Sequence, residues 1–171
     1  MAPYCFVNLF ANCIALITPP ELSSTKIPEF GYISLFKGCS SLQKAPKLPV
    51  KKLANSCYAS MFSNCINLKE APEIPAQKLF PACYANMFAG CTSLSKAPIL
   101  IADVLVERCY LYMFTDCNNL NEVTCLATDS SAENCLFLPT DPQIVFIVKD
   151  KNITNNLNPF DYSNLKLQEY K

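Results

Sequence analysis

The sequence predicts an α/β solenoid that winds once every 26 residues, with one short helix and one short parallel strand in each coil. Three observations support this prediction: a gapless 26-residue period, apolar residues at helical spacing in the first half of each unit, and a proline-bounded extended second half. The chain has 171 residues, 51% of them apolar, so we expect one folded domain.

The period is visible in columns of identical or similar residues 26 positions apart. A period of this length is typical of solenoids and arrays, in which each unit packs on its neighbours. A cysteine column, a phenylalanine column and a leucine column run without interruption through five units: Cys13, Cys39, Cys65, Cys91 and Cys117; Phe10, Phe36, Phe62, Phe88 and Phe114; Leu16, Leu42, Leu68, Leu94 and Leu120.

The first half of each unit is predicted to be helical. Leu53, Cys57 and Met61 follow one another at intervals of four residues, as one face of a helix requires. The position before the cysteine column holds only residues that tolerate a left-handed backbone, which predicts a helix C-terminal cap there. These residues are Asn12, Gly38, Asn64, Gly90 and Asp116.

The second half of each unit is predicted to be a short strand. Leu68, Ala71 and Ile74 are its apolar positions, and Pro72 and Pro75 exclude a helix. Stacked strands would form a narrow parallel sheet. One exposed column of this sheet alternates in charge and consists of Lys44, Glu70, Lys96 and Glu122. Mutual pairing of these charges is favoured over their use by a partner.

Composition argues against several classes of function. Fourteen basic and fourteen acidic residues cancel, so neither nucleic acid nor an anionic membrane is the expected partner. The chain has no histidine, three glycines and no convergent acidic groups, so we expect no enzyme, no catalytic residue, no metal site and no cofactor. No apolar run is long enough for a transmembrane helix.

Two residue types allow alternative interpretations. The eleven cysteines are best explained as buried thiols that pack as small apolar side chains. Disulfides between neighbouring units are the alternative. Nucleophilic cysteines are the least favoured interpretation, because the chain has no histidine to activate them. The tyrosine column is expected to pack its rings and leave its hydroxyls in water, and an aromatic binding strip is the alternative. Its members are Tyr32, Tyr58, Tyr84 and Tyr110.

The repeat resembles the BspA-like leucine-rich repeats of Bacteroides-type surface proteins. The similarity lies in Met61-Phe62-Ser63-Asn64-Cys65-Ile66-Asn67-Leu68 and in Met87-Phe88-Ala89-Gly90-Cys91-Thr92-Ser93-Leu94, and it extends over about residues 3–138. It implies a right-handed leucine-rich-repeat solenoid on a secreted or surface-anchored protein that binds partners or aids adhesion. The sequence departs from the repeat at Gly31, which interrupts the second cysteine column, and the usual asparagine ladder is absent.

The two ends of the chain differ. Residues 1–138 are assigned to the solenoid of about five coils and 139–171 to a C-terminal capping segment and tail, with Ile144–Val148 as a capping strand. The first coil has no polar cap, so end-to-end or edge association through it is one expectation.

The expected function is a non-enzymatic protein–protein interaction or adhesion module. The alternatives are a structural spacer within a larger surface protein and, less favoured, a glycan-binding module. The expected partner is a host or cell-surface protein, and the expected location, from the resemblance, is the cell surface or the secreted fraction. The predicted contact residues are the exposed strand-face positions Gln43, Lys69, Ser95 and Asn121 with the charged neighbours Lys44, Glu70, Lys96 and Glu122.

Overall fold

In the computed structural model, the protein is described over residues 2–137, 144–156 and 166–171, and over 154–156 for the backbone only. Its regular elements are strand β1 (Glu122–Cys125), strand β2 (Val145–Val148), a 3-10 helix (Lys151–Asn156) and strand β3 (Lys166–Glu169). The predicted domain boundary at 138/139 lies outside the described residues.

Side chains 26 residues apart lie in direct contact through most of the chain. The phenylalanine rings stack nearly parallel, with centroids 5.7 Å apart and an interplanar angle of 3° for Phe62 and Phe88. The same arrangement continues at similar distances from Phe10 to Phe36 and from Phe88 to Phe114. Successive 26-residue units are therefore in register with one another, while their assignment to a right-handed leucine-rich-repeat solenoid stays a prediction.

The first half of each unit is a run of tight turns, which corrects the prediction of one helix per coil. We call residues 4–13, 30–39, 56–65, 82–91 and 108–117 the turn segments. In the third unit Ser56, Ser60 and Asn64 have φ values of 50°, 55° and 61°, and a right-handed helix cannot include such residues. A left-handed residue at every fourth position explains the error, because it gives Leu53, Cys57 and Met61 the spacing of one helix face.

Hydrogen bonds from the turn segments alternate between two destinations. The N–H groups of Tyr32, Ser34 and Phe36 each donate to a carbonyl of the next unit at 2.9 Å. The N–H groups between them, such as that of Lys37, donate back to the carbonyl three residues earlier, here Ser34 at 3.1 Å. Every backbone donor of residues 30–39 is thus satisfied without a helix.

The core consists of the columns identified in the sequence. Leu53, Cys57 and Met61 are buried, so the residues of the predicted helix face do point inward although the backbone is not helical. Met61, Phe62, Cys65 and Leu68 are wholly inaccessible to solvent. Packing of this kind supplies the main favourable term that holds repeat units together.

In the second half of each unit the chain makes isolated bridges before it forms strands. Lys44 pairs with Glu70 and Glu70 with Lys96, each in parallel orientation and over one residue only. The next rung would need an N–H from Pro98 to the carbonyl of Ala71, and proline has none. The proline column therefore limits these contacts to single bridges.

A three-stranded parallel sheet closes the described chain in the order β1-β2-β3. Glu122 pairs with Val145 and Cys125 with Val148, and β3 continues on the far side of β2. The predicted capping strand at 144–148 is thus observed over Val145–Val148, whereas β3 lies in the stretch expected to be a polar tail. The buried Ser130 hydroxyl donates to the Ile153 carbonyl at 2.8 Å and ties the 3-10 helix to the last unit.

Candidate interaction surface

The eight predicted contact residues are all exposed in the structure. They lie where the chain enters the extended half of each unit, so residues of neighbouring units stand side by side. We call the charged residues Lys44, Glu70 and Lys96 the charged ridge; the backbone bridges that join them place the three in one row across three units. Backbone bridges hold these residues in one row, and pairing between their charged side chains does not contribute.

The second predicted column flanks the ridge. Ser95 donates to the Lys69 carbonyl through its N–H at 3.0 Å and through its hydroxyl at 3.3 Å. Asn121 accepts a backbone hydrogen bond from Val145 at 2.8 Å, which joins it to β2. Gln43 is exposed beside Lys44. Gln43, Lys69 and Ser95 each directly precede a residue of the charged ridge, so this column runs beside the ridge.

Glu122 is separated from the ridge by a change of register. Leu100 bridges Cys125, which is 25 residues further on and not 26, and Glu122 itself pairs with Val145 inside the sheet. The structure thus brings Lys44, Glu70 and Lys96 together by backbone pairing and places Glu122 at the end of the row without a bridge to Lys96.

The charges of the ridge do not form ion pairs with one another, which corrects the preference for mutual pairing. Within residues 2–137, 144–156 and 166–171, no ion pair of 4.0 Å or less joins two of them. The ion pairs that occur there include Lys149 with Asp103 at 3.4 Å and Arg108 with Glu107 at 3.5 Å. The ridge charges are exposed to solvent.

A groove beside the ridge was missed by the sequence analysis. It encloses about 510 Å³ and is lined by Pro46, Pro49, Pro72 and Pro75 with ridge residues at its rim. A second groove of about 600 Å³ continues it toward the first unit, past Pro20 and Leu22. From the sequence, the prolines predict only the absence of a helix and a narrow sheet. Their recurrence at fixed positions was a signal that they share one face.

The cysteines are free thiols, and nine of the eleven are buried. In the column that ends the turn segments, each buried thiol donates to the phenylalanine carbonyl of the preceding unit, as Cys65 does to Phe36 and Cys91 to Phe62, both at 3.1 Å. Burial raises the pKa of Cys65 to about 12 and that of Cys57 to about 11. A nucleophilic cysteine needs the opposite shift, so these thiols serve packing.

The tyrosine rings pack on one another as predicted, but the column is buried, so the predictions of hydroxyls in water at Tyr58 and Tyr84 and of an aromatic binding strip are wrong. Tyr58, Tyr84 and Tyr110 are 1% exposed. Their rings stack across units, with centroids 5.7 Å apart for Tyr58 and Tyr84. The hydroxyls of Tyr58 and Tyr84 are buried without a hydrogen-bond partner, and burial raises the pKa of both well above the usual value.

Residues 2–137, 144–156 and 166–171 contain neither a cluster of metal-binding side chains nor a membrane-spanning helix. Cysteine, aspartate and glutamate side chains nowhere gather in a group of three that could hold a metal ion. No helix in the same residues combines the length and apolarity needed to cross a membrane.

Comparison with known proteins gives no match: no family model, no curated protein and no solved structure matches the chain.

Proposed function

We propose that the chain is a non-enzymatic module that binds another protein through the charged ridge and the proline-lined groove beside it. One observation carries the proposal: three charges of alternating sign lie in one row, exposed and unpaired with each other, beside a groove of about 510 Å³. Repeat units offer such a row because each contributes an equivalent position.

The surface combines two kinds of recognition. The ridge presents positive, negative and positive charge in turn, so a partner with the reverse order would meet an opposite charge at each position, and a uniformly charged partner would not. The groove presents rigid apolar rings, which lose little entropy on binding because proline has few rotamers. Charge order would select the partner and the groove would contribute apolar contact area.

The proposed location is the cell surface or the secreted fraction, and it is supported by the resemblance of the repeat to the BspA-like family. The buried thiols are compatible with an oxidising compartment. A raised pKa suppresses the thiolate form through which a cysteine is oxidised.

The test uses a displayed random peptide library selected on the intact chain, followed by affinity measurements with the selected peptides. The variant Lys44→Glu with Glu70→Lys reverses two ridge charges and keeps the net charge. We expect it to weaken binding by about tenfold, since each close charge pair that is reversed changes from attraction to repulsion. The matched control is Lys37→Glu with Glu133→Lys, which exchanges two exposed charges elsewhere.

Three outcomes would overturn the proposal. Equal loss of binding in the ridge variant and the control would show a general charge effect. Failure to select any peptide, combined with specific binding on a glycan array, would favour the glycan-binding alternative. Absence of both peptide binding and glycan binding would favour the alternative of a structural spacer.

A further inference from the structure

We propose that the partner of the charged ridge is a second copy of this chain, which lies face to face with the first and runs antiparallel to it. This inference rests on the proposed function, because it assigns a partner to the same surface. The units involved carry Lys44, Glu70, Lys96 and Glu122, and each has a neighbouring unit or strand on both sides in the stack.

The order of charge along the row is the first argument. Lys44, Glu70 and Lys96 present positive, negative and positive charge, so a matching partner presents negative, positive and negative charge. Glu70, Lys96 and Glu122 have that order, and all four side chains are exposed. The chain therefore carries the complement of its own ridge, displaced by one unit.

A two-fold axis brings the ridge and its complement together. The axis passes between Glu70 and Lys96, perpendicular to the row and parallel to the surface. Lys44 of each copy then faces Glu122 of the other copy, and Glu70 of each faces Lys96 of the other. Each contact occurs twice, as in every two-fold interface. The backbone bridges space the ridge residues by about 4.8 Å, and a second copy has the same spacing by identity.

The order of charge also disfavours the neighbouring arrangements. A parallel alignment sets Lys44 against Lys44 and Glu70 against Glu70. An antiparallel alignment displaced by one unit sets Lys44 against Lys96 and Glu70 against Glu70. Like charges that face each other are unfavourable. A displacement by two units restores attraction but keeps only the contact between Lys44 and Glu70, so the charges select one direction and one register.

The column that flanks the ridge fits the same register. Under the two-fold axis Gln43 faces Asn121 of the other copy, and Lys69 faces Ser95. All of these side chains are exposed. Each contact joins an amide with an amide or an ammonium with a hydroxyl, so no like charges meet in this column.

The proline-lined groove adds an apolar contact. Ile99 is 47% exposed and belongs to the unit of Lys96, which faces the unit of Glu70 in the other copy. Pro72 and Pro75 form the wall of the groove on that unit, so Ile99 of one copy would lie against these rings of the other. Exposed ion pairs by themselves contribute little to affinity, and this contact supplies apolar burial from each copy.

The experiment measures self-association of the intact chain by sedimentation velocity over a range of concentrations. The two test variants are Glu70→Lys and Lys96→Glu, each of which sets like charges against each other twice in the proposed dimer. Neither residue takes part in an ion pair within the described part of the chain, so the monomer loses no such contact. The matched control is Lys37→Glu with Glu133→Lys, which exchanges two exposed charges away from the ridge.

The unchanged chain and the control are expected to dimerise alike. Each single variant should raise the dissociation constant of its own dimer at least about tenfold. An equimolar mixture of the two single variants should form a heterodimer as readily as the unchanged chain forms its dimer, because every facing pair is then of opposite charge. The double variant should dimerise by itself for the same reason, and added salt should weaken all of these dimers.

Three results would overturn the inference: a chain that stays monomeric at every concentration, a dimer that both single variants leave intact, or single variants that do not associate when mixed. Selected peptides that bind the ridge of a monomeric chain would refute the self-association and leave the proposed function standing. Failure of the proposed function would appear differently, since no ridge substitution would then affect either peptide binding or self-association.

Discussion

The side-chain amide of Asn64 occupies the space beside the Cα of Gly90, one unit further along the chain. A Cβ added at Gly90 would collide with Asn64 Oδ1, and the same relationship joins Asn12 to Gly38. Asparagine and glycine therefore alternate along this column because each asparagine fills the volume that the next glycine leaves open.

This relationship predicts a strong and specific coupling. Gly90 has φ of +76°, so Gly90→Ala combines the cost of a left-handed alanine with a collision, together about 2–5 kcal/mol of lost stability. In the double variant with Asn64→Gly the collision disappears and about 1–3 kcal/mol should return. Urea unfolding of the four proteins measures this coupling, and strictly additive effects would contradict it.

The register of the units could be predicted from the sequence, but the backbone of the turn segments could not. The 26-residue columns depend only on which residues must be buried together, as Phe62 and Phe88 are. The turns depend on φ at Ser56 and Ser60, and serine gives no sign of a left-handed conformation. Asparagine and glycine positions such as Asn64 and Gly90 reveal it by their type.

The candidate surface could be predicted in part, because exposure follows the 26-residue period just as burial does. Exposure of Lys44, Glu70 and Lys96 follows from their phase in the repeat. The loss of register before Glu122 depends on how the chain pairs at Leu100, which no pattern reveals. The gap in the second cysteine column at Gly31 also needed coordinates: a Cβ there would lie 2.9 Å from Pro28 Cδ.

The buried tyrosine hydroxyls predict that removing one of them stabilises the protein. Tyr84 keeps its ring stacked between Tyr58 and Tyr110, while its hydroxyl lacks a partner. Tyr84→Phe removes a desolvated polar group and should raise the free energy of unfolding by about 1–3 kcal/mol. Tyr170→Phe, at an exposed tyrosine, should change it little. A loss of stability in Tyr84→Phe would show that the hydroxyl is hydrogen-bonded.

The thiol column predicts a difference between two cysteines of identical phase. Cys91 is wholly buried and donates to the Phe62 carbonyl at 3.1 Å, so Cys91→Ala loses both a hydrogen bond and apolar volume, about 1–2 kcal/mol. Cys13 is exposed, and Cys13→Ala should change stability by less than about 0.5 kcal/mol. Thermal unfolding compares the two, and equal losses would mean that the hydrogen bond and the packing contribute nothing.

The raised thiol pKa values predict that the protein loses stability in alkali and not in mild acid. Burial raises the pKa of Cys65 from 9.0 to about 12, and those of Cys125 and Cys135 from 9.0 to about 11. Below pH 9 these thiols are protonated in both the folded and the unfolded chain, so their contribution is constant. Between pH 9 and the pKa values of the folded protein, the unfolded chain releases protons first, and each thiol should lower the free energy of unfolding by about 1.4 kcal/mol per pH unit.

Urea midpoints measured at pH 7, 9 and 10.5 should therefore stay level and then fall, and the fall should be smaller in Cys65→Ala than in Cys13→Ala. A midpoint that does not change up to pH 10.5 would show that the thiols titrate equally in both states.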